Sequence, residues 1–373
     1  MVRNSKIEKA KSSIPDRIRE LEKEIENTKY NKRTQSHIGL VKAKIAMLRE
    51  KQVSRKKGSG KTYGYTTKRS GDASAIIVGF PSAGKSTLLN KLTNANSKTA
   101  AYEFTTLTCI PGMMDYNGAR IQILDVPGIV EGAASGKGRG KEVLSVAINA
   151  DLVLLLIDVF HTEHYPVLMK EVRDSYIRMN EERPDIRIKA TIKGGISIGS
   201  TVRLTNIDEE TIKAILHEFR ITNADVLIRS DINADQLIDS IEGNRKYIPG
   251  IVAINKIDIA DEGTLRKAKA IPHDILISCE KGTNMDGLKE IIYRKLRFMK
   301  VYCKQQSRKA DMDTPLIMRE GSTLQDMCDR LHRDFVKRFR FARVWGSSKF
   351  AGQVIRNLKH EIKDKDIVEL VLD

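Results

Sequence analysis

The fold is decided by a short apolar run that leads into a glycine-rich loop, Ala75-Ile76-Ile77-Val78-Gly79-Phe80-Pro81-Ser82-Ala83-Gly84-Lys85-Ser86. The loop fits the pattern G-x-x-x-x-G-K-[ST] between a predicted strand and a predicted helix that begins near Thr87. Backbone N–H groups of such a loop hold phosphate oxygens, and a Cβ at the glycines would block the approach. We expect Lys85 to neutralise the outer phosphates and the Ser86 hydroxyl to bind Mg²⁺. The fold class predicted is α/β, a mainly parallel sheet flanked by helices.

A second strand, Ile121 to Leu124, places a carboxylate at its C-terminal end. Asp125 suits the metal-side carboxylate of a P-loop nucleotidase, which is usually reached through a water. Gly128 follows and would let its N–H approach the γ-phosphate. A D-x-x-G pattern alone is usually just a turn, but Asp125 stands 40 residues after Lys85 on a predicted strand. The pair Ser86 and Asp125 is therefore predicted to lie at a Mg²⁺ site.

The choice of base is predicted from a third strand, Ile251 to Ile254, which ends in Asn255-Lys256-Ile257-Asp258. The Asp258 carboxylate can accept hydrogen bonds from N1–H and the exocyclic amine of guanine, whereas adenine has no matching donor pair. Lys256 can lay its stem over the base, and Asn255 belongs to the same base-reading motif. A further strand ends at Ser278 and Cys279, whose backbone is a candidate for contact with the guanine oxygen. The expected ligands are GTP and GDP.

The order of these motifs resembles the Obg superfamily of translation-factor-type GTPases. Tyr102-Glu103-Phe104-Thr105-Thr106-Leu107-Thr108 resembles the first switch of that superfamily, and Gly128 to Gly140 resembles its glycine-rich second switch. The resemblance implies that Thr106 closes over Mg²⁺ when GTP is bound. Thr105 is the competing candidate, and the sequence does not separate the two.

The catalytic residue is not identified by the sequence, because Ile129 occupies the place where Ras-like enzymes carry a water-orienting glutamine. Thr106 and Gly128 would assist. We expect slow intrinsic hydrolysis, at or below ~10⁻⁴ to 10⁻³ s⁻¹. Some related GTPases use K⁺ with an asparagine in the phosphate loop. Ser82 stands there in this chain, which leaves K⁺ dependence open.

The net charge of +17 is carried by the two ends of the chain. Residues 1–70 hold 20 basic and 7 acidic residues, the last 77 residues hold 17 and 11, and the middle is nearly neutral. Apolar stripes at helical spacing, Ile18 to Ile25 and Ile38 to Leu48, predict a helical hairpin in the first segment. Its basic faces favour contact with a polyanion by counterion release, the alternative being a solvated helix face and a flexible linker.

The 130 residues between Asp125 and Asn255 exceed one crossover unit and predict an inserted α+β subdomain, with residues 186–204 as one strand-like piece. The tail resembles the TGS module, a ubiquitin-like β-grasp domain, with Lys337, Arg338, Arg340 and Arg343 on a basic edge. Its alternative role is protein docking. The domains predicted are 1–70 hairpin and linker, 71–163 and 242–298 GTPase domain, 164–241 insertion, and 299–373 TGS domain.

Together these modules resemble the DRG (developmentally regulated GTP-binding protein) family over nearly the whole chain. The resemblance implies a GTPase that acts with the ribosome, rRNA or tRNA in translation, through the basic hairpin and the TGS domain, and that has a possible regulatory protein partner. No run of 18 apolar residues occurs, so membrane spanning is not supported and we expect a cytoplasmic protein that does not contact membranes. We also expect a monomer. Two rival functions remain, a P-loop ATPase, which Asp258 opposes, and a non-enzymatic RNA-binding protein that uses GTP only structurally.

Overall fold

The computed structural model describes residues 13–29, 31, 34–56, 71–93, 110–125, 150–306 and 308–373. The chain divides into two compact units. The first consists of residues 1–64 and 182–245, and the second of residues 65–181 and 246–373. Among the described residues, no helix combines the length and the apolar character needed to cross a membrane.

The first unit combines the N-terminal hairpin with most of the insertion. Its elements are α1 (Ile14–Asn27), α2 (Gln35–Lys56), β6 (Ile186–Ala190), β7 (Ile196–Ser200), α5 (Glu209–Glu218), β8 (Ala224–Ile228) and α6 (Ala234–Glu242). The strands form a sheet in the order β6-β8-β7, with β6 antiparallel and β7 parallel to β8. The segment predicted as one strand-like piece is thus two strands, because Gly194 and Gly195 adopt positive φ angles of 111° and 74° and turn the chain between them.

Helix α2 has two packing faces. Ile18 of α1 packs with Val41 and Ile45 of α2, which closes the predicted hairpin. Ala43 and Ala46 of α2 belong to the core formed by the insertion. The hairpin and the insertion, predicted as separate domains, therefore share one hydrophobic core.

The second unit contains the strands and the loop predicted to bind nucleotide. Its elements are β1 (Ala73–Val78), α3 (Lys85–Leu92), β2 (Ile110–Tyr116), β3 (Ala119–Asp125), β4 (Leu152–Asp158), α4 (His164–Asp174), β5 (Ile177–Met179), β9 (Lys246–Ile248), β10 (Gly250–Asn255), α7 (Glu262–Lys269), β11 (Ile275–Leu276) and α8 (Met285–Lys295). The main sheet has the order β11-β10-β4-β1-β3-β2, and all pairs are parallel except β2 with β3. Every residue of β1, β4 and β10 is buried, as expected for strands covered on both faces. The predicted fold class is confirmed.

The insertion begins later than residue 164, where the prediction placed it. Helix α4 and strand β5 bury Leu168, Val172 and Ile177 in the core of the main sheet. The first unit resumes only at Glu182. The boundary differs because these apolar side chains belong to the core of the main sheet. Helix α4 and strand β5 therefore continue the domain that contains β4, and the insertion starts only after them.

The C-terminal part of the second unit is a five-stranded sheet with one helix packed on it. Its elements are β12 (Phe298–Cys303), β13 (Leu316–Arg319), α9 (Leu324–Leu331), α10 (Phe335–Arg338), β14 (Phe339–Trp345), β15 (Gln353–Ile355) and β16 (Ile367–Leu372). The order is β13-β12-β16-β14-β15, with β12 and β16 parallel at the centre. Residues such as Val301, Met327 and Val344 fill the core between the sheet and α9.

Ion pairs attach this C-terminal domain to the main sheet near the start of β1. Arg330 pairs with Asp72. Arg319 pairs with Asp151 at 2.7 Å, and the other oxygen of the Asp151 carboxylate accepts a 2.9 Å hydrogen bond from the N–H of Ser74. The contacts lie at the end of β1 that is remote from the phosphate loop.

Candidate nucleotide-binding site

The phosphate loop follows β1 and has the backbone conformation that its glycines allow. Gly84, the N-cap of α3, has a φ of 97°, and Ser82 has a φ of 63°. A Cβ at Gly79 would lie 2.5 Å from the carbonyl oxygen of Leu156, and one at Gly84 would lie 2.4 Å from Nδ2 of Asn255. Phe80 is partly buried against the core, and Pro81 and Ser82 are exposed. The loop is therefore built around close approaches that only glycine permits.

Lys85 lies folded over the loop that precedes it. Its ammonium group donates hydrogen bonds to the carbonyl oxygens of Gly79 and Phe80, both at 3.0 Å. Burial lowers the pKa of Lys85 and the negative charge of Asp125 opposes that shift. A phosphate at the loop would add a second anionic partner and favour the charged ammonium further.

Ser86 and Asp125 are brought together as predicted for a metal site. The Ser86 hydroxyl donates to Oδ2 of Asp125 at 2.7 Å. Oδ1 of Asp125 is buried and has no hydrogen-bond partner among the described residues. An unpartnered anionic oxygen next to a hydroxyl is a donor set that suits a hard cation such as Mg²⁺. The residues present thus fit the predicted metal.

Asn255 is a brace between two loops. Asn255 is 2% exposed. Nδ2 donates to the carbonyl oxygen of Ala83 in the phosphate loop at 2.8 Å, and Oδ1 accepts from the N–H of Cys279 at 3.0 Å. Both ends of the amide that was predicted to read guanine are therefore engaged by the protein, and its role here is to join the phosphate loop to the loop after β11.

The backbone of Ser278 and Cys279 is engaged as well. The Ser278 N–H donates to the carbonyl oxygen of Thr283 at 3.2 Å, and the Cys279 N–H is taken by Asn255. Neither N–H is free for the guanine contact predicted for this pair, because the chain folds back on itself at this point. Burial raises the pKa of the Cys279 thiol to about 12, so the side chain is a neutral packing group.

Two charged residues of the base-reading motif are held by neighbours. Lys256 has a φ of 70°, and its ammonium group pairs with Asp158 at 2.7 Å. A hydrogen bond from the Ser278 hydroxyl is the largest cause that lowers the pKa of Asp258. Asp258 is partly exposed and ionised, which is the state that guanine recognition requires.

Several predicted residues lie outside the described part of the chain. They are Thr105, Thr106, Gly128 and Ile129. Their predicted roles stay predictions. Thr87 lies in the first turn of α3, next to Ser86.

Sequence reasoning missed two features beside the site. Asp158, the last residue of β4, accepts a 2.7 Å hydrogen bond from the Lys256 ammonium group, a contact that the motif around Lys256 did not indicate. Phe80 stacks on His164 with ring centroids 3.9 Å apart, and His161 stacks on His164 with ring centroids 5.1 Å apart. Candidate ligand atoms of His161, Glu163 and His164 come within 4.8 Å of one another. His161 and Glu163 are exposed, and Nδ1 of His161 lies 3.0 Å from the Glu163 carboxylate.

Comparison with known protein families and relatives agrees with this geometry. Family models described as "50S ribosome-binding GTPase", "C-terminal region of MMR_HSR1 domain" and "TGS domain" match residues 74–190, 193–298 and 299–372. An uncharacterized GTP-binding protein of Methanocaldococcus jannaschii is 54% identical over 96% of this chain and 93% of its own length. Developmentally-regulated G-protein 3 of Arabidopsis thaliana is 43% identical and developmentally-regulated GTP-binding protein 2 of Homo sapiens 42%, each over 96% of this chain and 99% of its own length. The chain is therefore a GTP-binding protein that belongs to the developmentally regulated GTP-binding protein family of translation-factor-type GTPases.

Proposed function

We propose that this protein hydrolyses GTP to GDP and phosphate at a slow intrinsic rate, and that it acts as a cytoplasmic, nucleotide-dependent switch on the ribosome or on RNA in translation. The observation that carries the enzymatic part is the convergence of three motifs at the carboxyl edge of one sheet. The phosphate loop follows β1, Asp125 ends β3, and Asn255 ends β10. This edge is where parallel α/β sheets bind their ligands.

Each residue has a defined task in the proposed reaction. The loop N–H groups and Lys85 would hold the β- and γ-phosphates for in-line attack by water, and Asp258 would accept from guanine. Ser86 and Asp125 would hold Mg²⁺ together with Thr106. The ion, when bound, would neutralise charge that develops on the transferring phosphoryl group. Asn255 would keep the phosphate end and the base end of the site at a fixed separation, since it bonds to both loops.

The ribosome part of the proposal is supported by charge and by the matched model's description. The hairpin presents exposed cations on both helices, among them Arg17, Lys23 and Lys44. The matched GTPase model is described as ribosome-binding. A surface of this kind gains affinity for phosphate backbones by releasing condensed counterions.

Single-turnover hydrolysis of GTP separates an enzyme from a protein that uses GTP only structurally. Rates are measured with and without ribosomes, each in K⁺ and in Na⁺. We expect slow turnover that ribosomes accelerate. Ser86→Ala should abolish it, while Asn90→Ala on the exposed side of α3 should not change it. No turnover under any of these conditions would favour the structural role.

Base specificity separates a GTPase from an ATPase. Asp258→Asn should weaken GDP binding and shift preference toward xanthine nucleotides, because the amide offers a donor where the carboxylate accepted. Asp286→Asn, an exposed carboxylate in the first turn of α8, is the charge-matched control. Tighter binding of ATP than of GTP by the wild type, or an unchanged GDP affinity of Asp258→Asn, contradicts the assignment.

Ribosome association is tested best by neutralising charge, because deleting residues 1–70 would remove Ala43 and Ala46 from the core of the first unit. A triple variant with Arg17, Lys23 and Lys44 changed to Gln should co-sediment less with ribosomes and show a shallower salt dependence. The control triple changes Arg266, Lys267 and Lys269, which are exposed on α7. Equal behaviour of the two triple variants would show that the hairpin charge is not the contact.

A further inference from the structure

Two histidines and a glutamate lie together where β4 leads into α4, and none of them has a task in binding GTP. His161 and Glu163 precede α4, and His164 is its first residue. Candidate ligand atoms of the three side chains come within 4.8 Å of one another. Among the described residues they are the only group of three or more such side chains at this spacing. We call these three residues the His-Glu-His cluster.

The backbone brings the two imidazoles of the cluster together. The N–H of His161 donates to the carbonyl oxygen of Asp158 at 2.9 Å, and the N–H of His164 donates to that of His161 at 3.1 Å. A turn closed by such a bond holds the Cα atoms of its first and last residues within about 7 Å. His161 and His164 are the first and last residues of the second turn, so their positions are set by the main chain.

One ligand of the cluster is held in place and the other two can adjust. The His164 ring stacks on Phe80 with planes inclined by 16°, and Phe80 packs against the core of the main sheet. The side chains of His161 and Glu163 are 55% and 67% exposed. Rotation about their side-chain torsions can therefore direct a ring nitrogen and a carboxylate oxygen to an ion beside His164.

The spacing within the exposed pair suits two ligands of one ion. Nδ1 of His161 and Oε1 of Glu163 are 3.0 Å apart. In a tetrahedral zinc site, ligand atoms that lie about 2.0–2.2 Å from the metal are about 3.3 Å from one another. The pair therefore needs little movement to exchange its mutual hydrogen bond for a shared ion.

The donor set selects the class of ion. Imidazole nitrogen suits Zn²⁺ and its neighbours among the late first-row metals, whereas Mg²⁺ and Ca²⁺ take oxygen ligands. Two histidines and one glutamate form a zinc-binding set in which water takes the fourth position. The cluster contains no thiolate, which argues against Cu⁺ or an iron–sulfur centre. Ser86 and Asp125 offer only side-chain oxygen atoms, so their predicted Mg²⁺ site and the cluster would select different ions.

We propose that His161, Glu163 and His164 form a binding site for Zn²⁺ or a neighbouring divalent ion of the late first row. An ion there would hold the loop after β4 beside the phosphate loop, because His164 stacks on Phe80 and the Phe80 carbonyl accepts a 3.0 Å hydrogen bond from Lys85. The site requires neither GTP hydrolysis nor the ribosome, so it is tested separately from the proposed function.

The test measures the Zn²⁺ affinity of the tag-free, full-length protein by competition with a chromogenic zinc indicator, in excess Mg²⁺ and GDP. We expect one Zn²⁺ per chain to bind more tightly than any other. His161→Ala and Glu163→Gln should each weaken this binding at least about tenfold, the lower end of the loss found when only an outer partner of a metal ligand is removed. His164→Phe should do the same, although it keeps a ring stacked on Phe80.

His37→Ala is the matched control. His37 is exposed and lies 2.9 Å from the Glu24 carboxylate, but this pair belongs to no three-ligand group in the part of the chain that the structure describes. Its replacement should leave the tight Zn²⁺ site unchanged. Zn²⁺ should also raise the melting temperature of the wild type and of His37→Ala more than that of the three cluster variants, because an ion that binds only the folded state stabilises it.

Two results would overturn the proposal. One is a Zn²⁺ affinity of the three cluster variants equal to that of the wild type. The other is loss of the tight site in Ser86→Ala, which would assign the ion to the nucleotide site. Without Zn²⁺, all three cluster variants should melt as the wild type does, and if one of them does not, the other two decide.

Discussion

Replacing Asn255 by alanine should damage both the stability of the GTPase core and its affinity for nucleotide. The amide joins the carbonyl of Ala83 to the N–H of Cys279, and all three residues are almost fully buried. In Asn255→Ala both backbone groups lose their partner in a place that water does not reach. An unpartnered buried polar group costs about 1–3 kcal/mol, so the two together cost about 2–6 kcal/mol of unfolding free energy.

The nucleotide affinity should fall as well, because the carbonyl of Ala83 lies inside the phosphate loop. We expect at least a tenfold weaker binding of a fluorescent GDP analogue, which corresponds to about 1.4 kcal/mol. Asn255→Asp keeps the acceptor toward Cys279 but sets a carboxylate oxygen against the Ala83 carbonyl, and it should be impaired through that contact alone.

The assay is urea unfolding monitored by far-UV circular dichroism, together with titration of the GDP analogue. Asn90→Ala, on the exposed side of α3, serves as the matched asparagine control and should be neutral. The reasoning is refuted if Asn255→Ala unfolds within about 0.5 kcal/mol of that control, the usual range for harmless surface changes, and still binds GDP normally.

Two further predictions concern the same site. Gly84→Ala should lose at least tenfold in GDP affinity, because its φ is 97° and the new Cβ would lie 2.4 Å from Asn255 Nδ2. The control is Gly321→Ala, which has a φ of 81° and no atom within 4 Å of the new Cβ, so it should lose some stability through backbone strain but bind GDP normally. Equal GDP affinities of the two variants would contradict the close approach at Gly84. Ser278→Ala should raise the pKa of Asp258, whose present lowering is due chiefly to the Ser278 hydroxyl. The Asp258 carboxylate of the variant would then be protonated at a higher pH than in the wild type, so its GDP affinity should decline earlier as the pH falls into the acidic range. Superimposable pH profiles would exclude this hydrogen bond.

The local chemistry of the site could be predicted from the sequence, whereas its long-range contacts could not. The run Ala75 to Val78 is apolar because β1 is covered on both faces, and the loop pattern after it follows from backbone geometry. Asn255 and Ala83, however, are 172 positions apart, and Lys256 and Asp158 are 98 apart. No local periodicity reports which side chain meets which across such distances. For this reason the sequence motif indicates a base-reading role for Asn255, whereas in the structure its amide joins the phosphate loop to the loop after β11.

The shared core of the hairpin and the insertion escaped prediction because helix α2 contributes only small side chains to it. The apolar stripe from Ile38 to Leu48 predicts a helix face, and Val41, Ile45 and Leu48 of this stripe pack on α1. Gly39, Ala43 and Ala46 also follow helical spacing, yet small side chains have little weight in a hydrophobic pattern. A Cβ at Gly39 would lie 3.0 Å from the Thr211 side chain, so the small residues permit the helices to approach closely. This second stripe, made of Gly and Ala at helical spacing, was the sequence signal that could have indicated the second packing face of α2.

The ion pairs at the start of β1 have a mechanical consequence. The strand has six residues and hence a length of about 20 Å. One end is tethered to the C-terminal domain through Asp72 and Ser74, and the other continues directly into the phosphate loop at Gly79. Strand β1 is extended, fully buried and hydrogen-bonded on both sides, so it cannot shorten or lengthen appreciably along its axis. A displacement of the C-terminal domain would therefore be passed along β1 to the phosphate loop rather than absorbed between them.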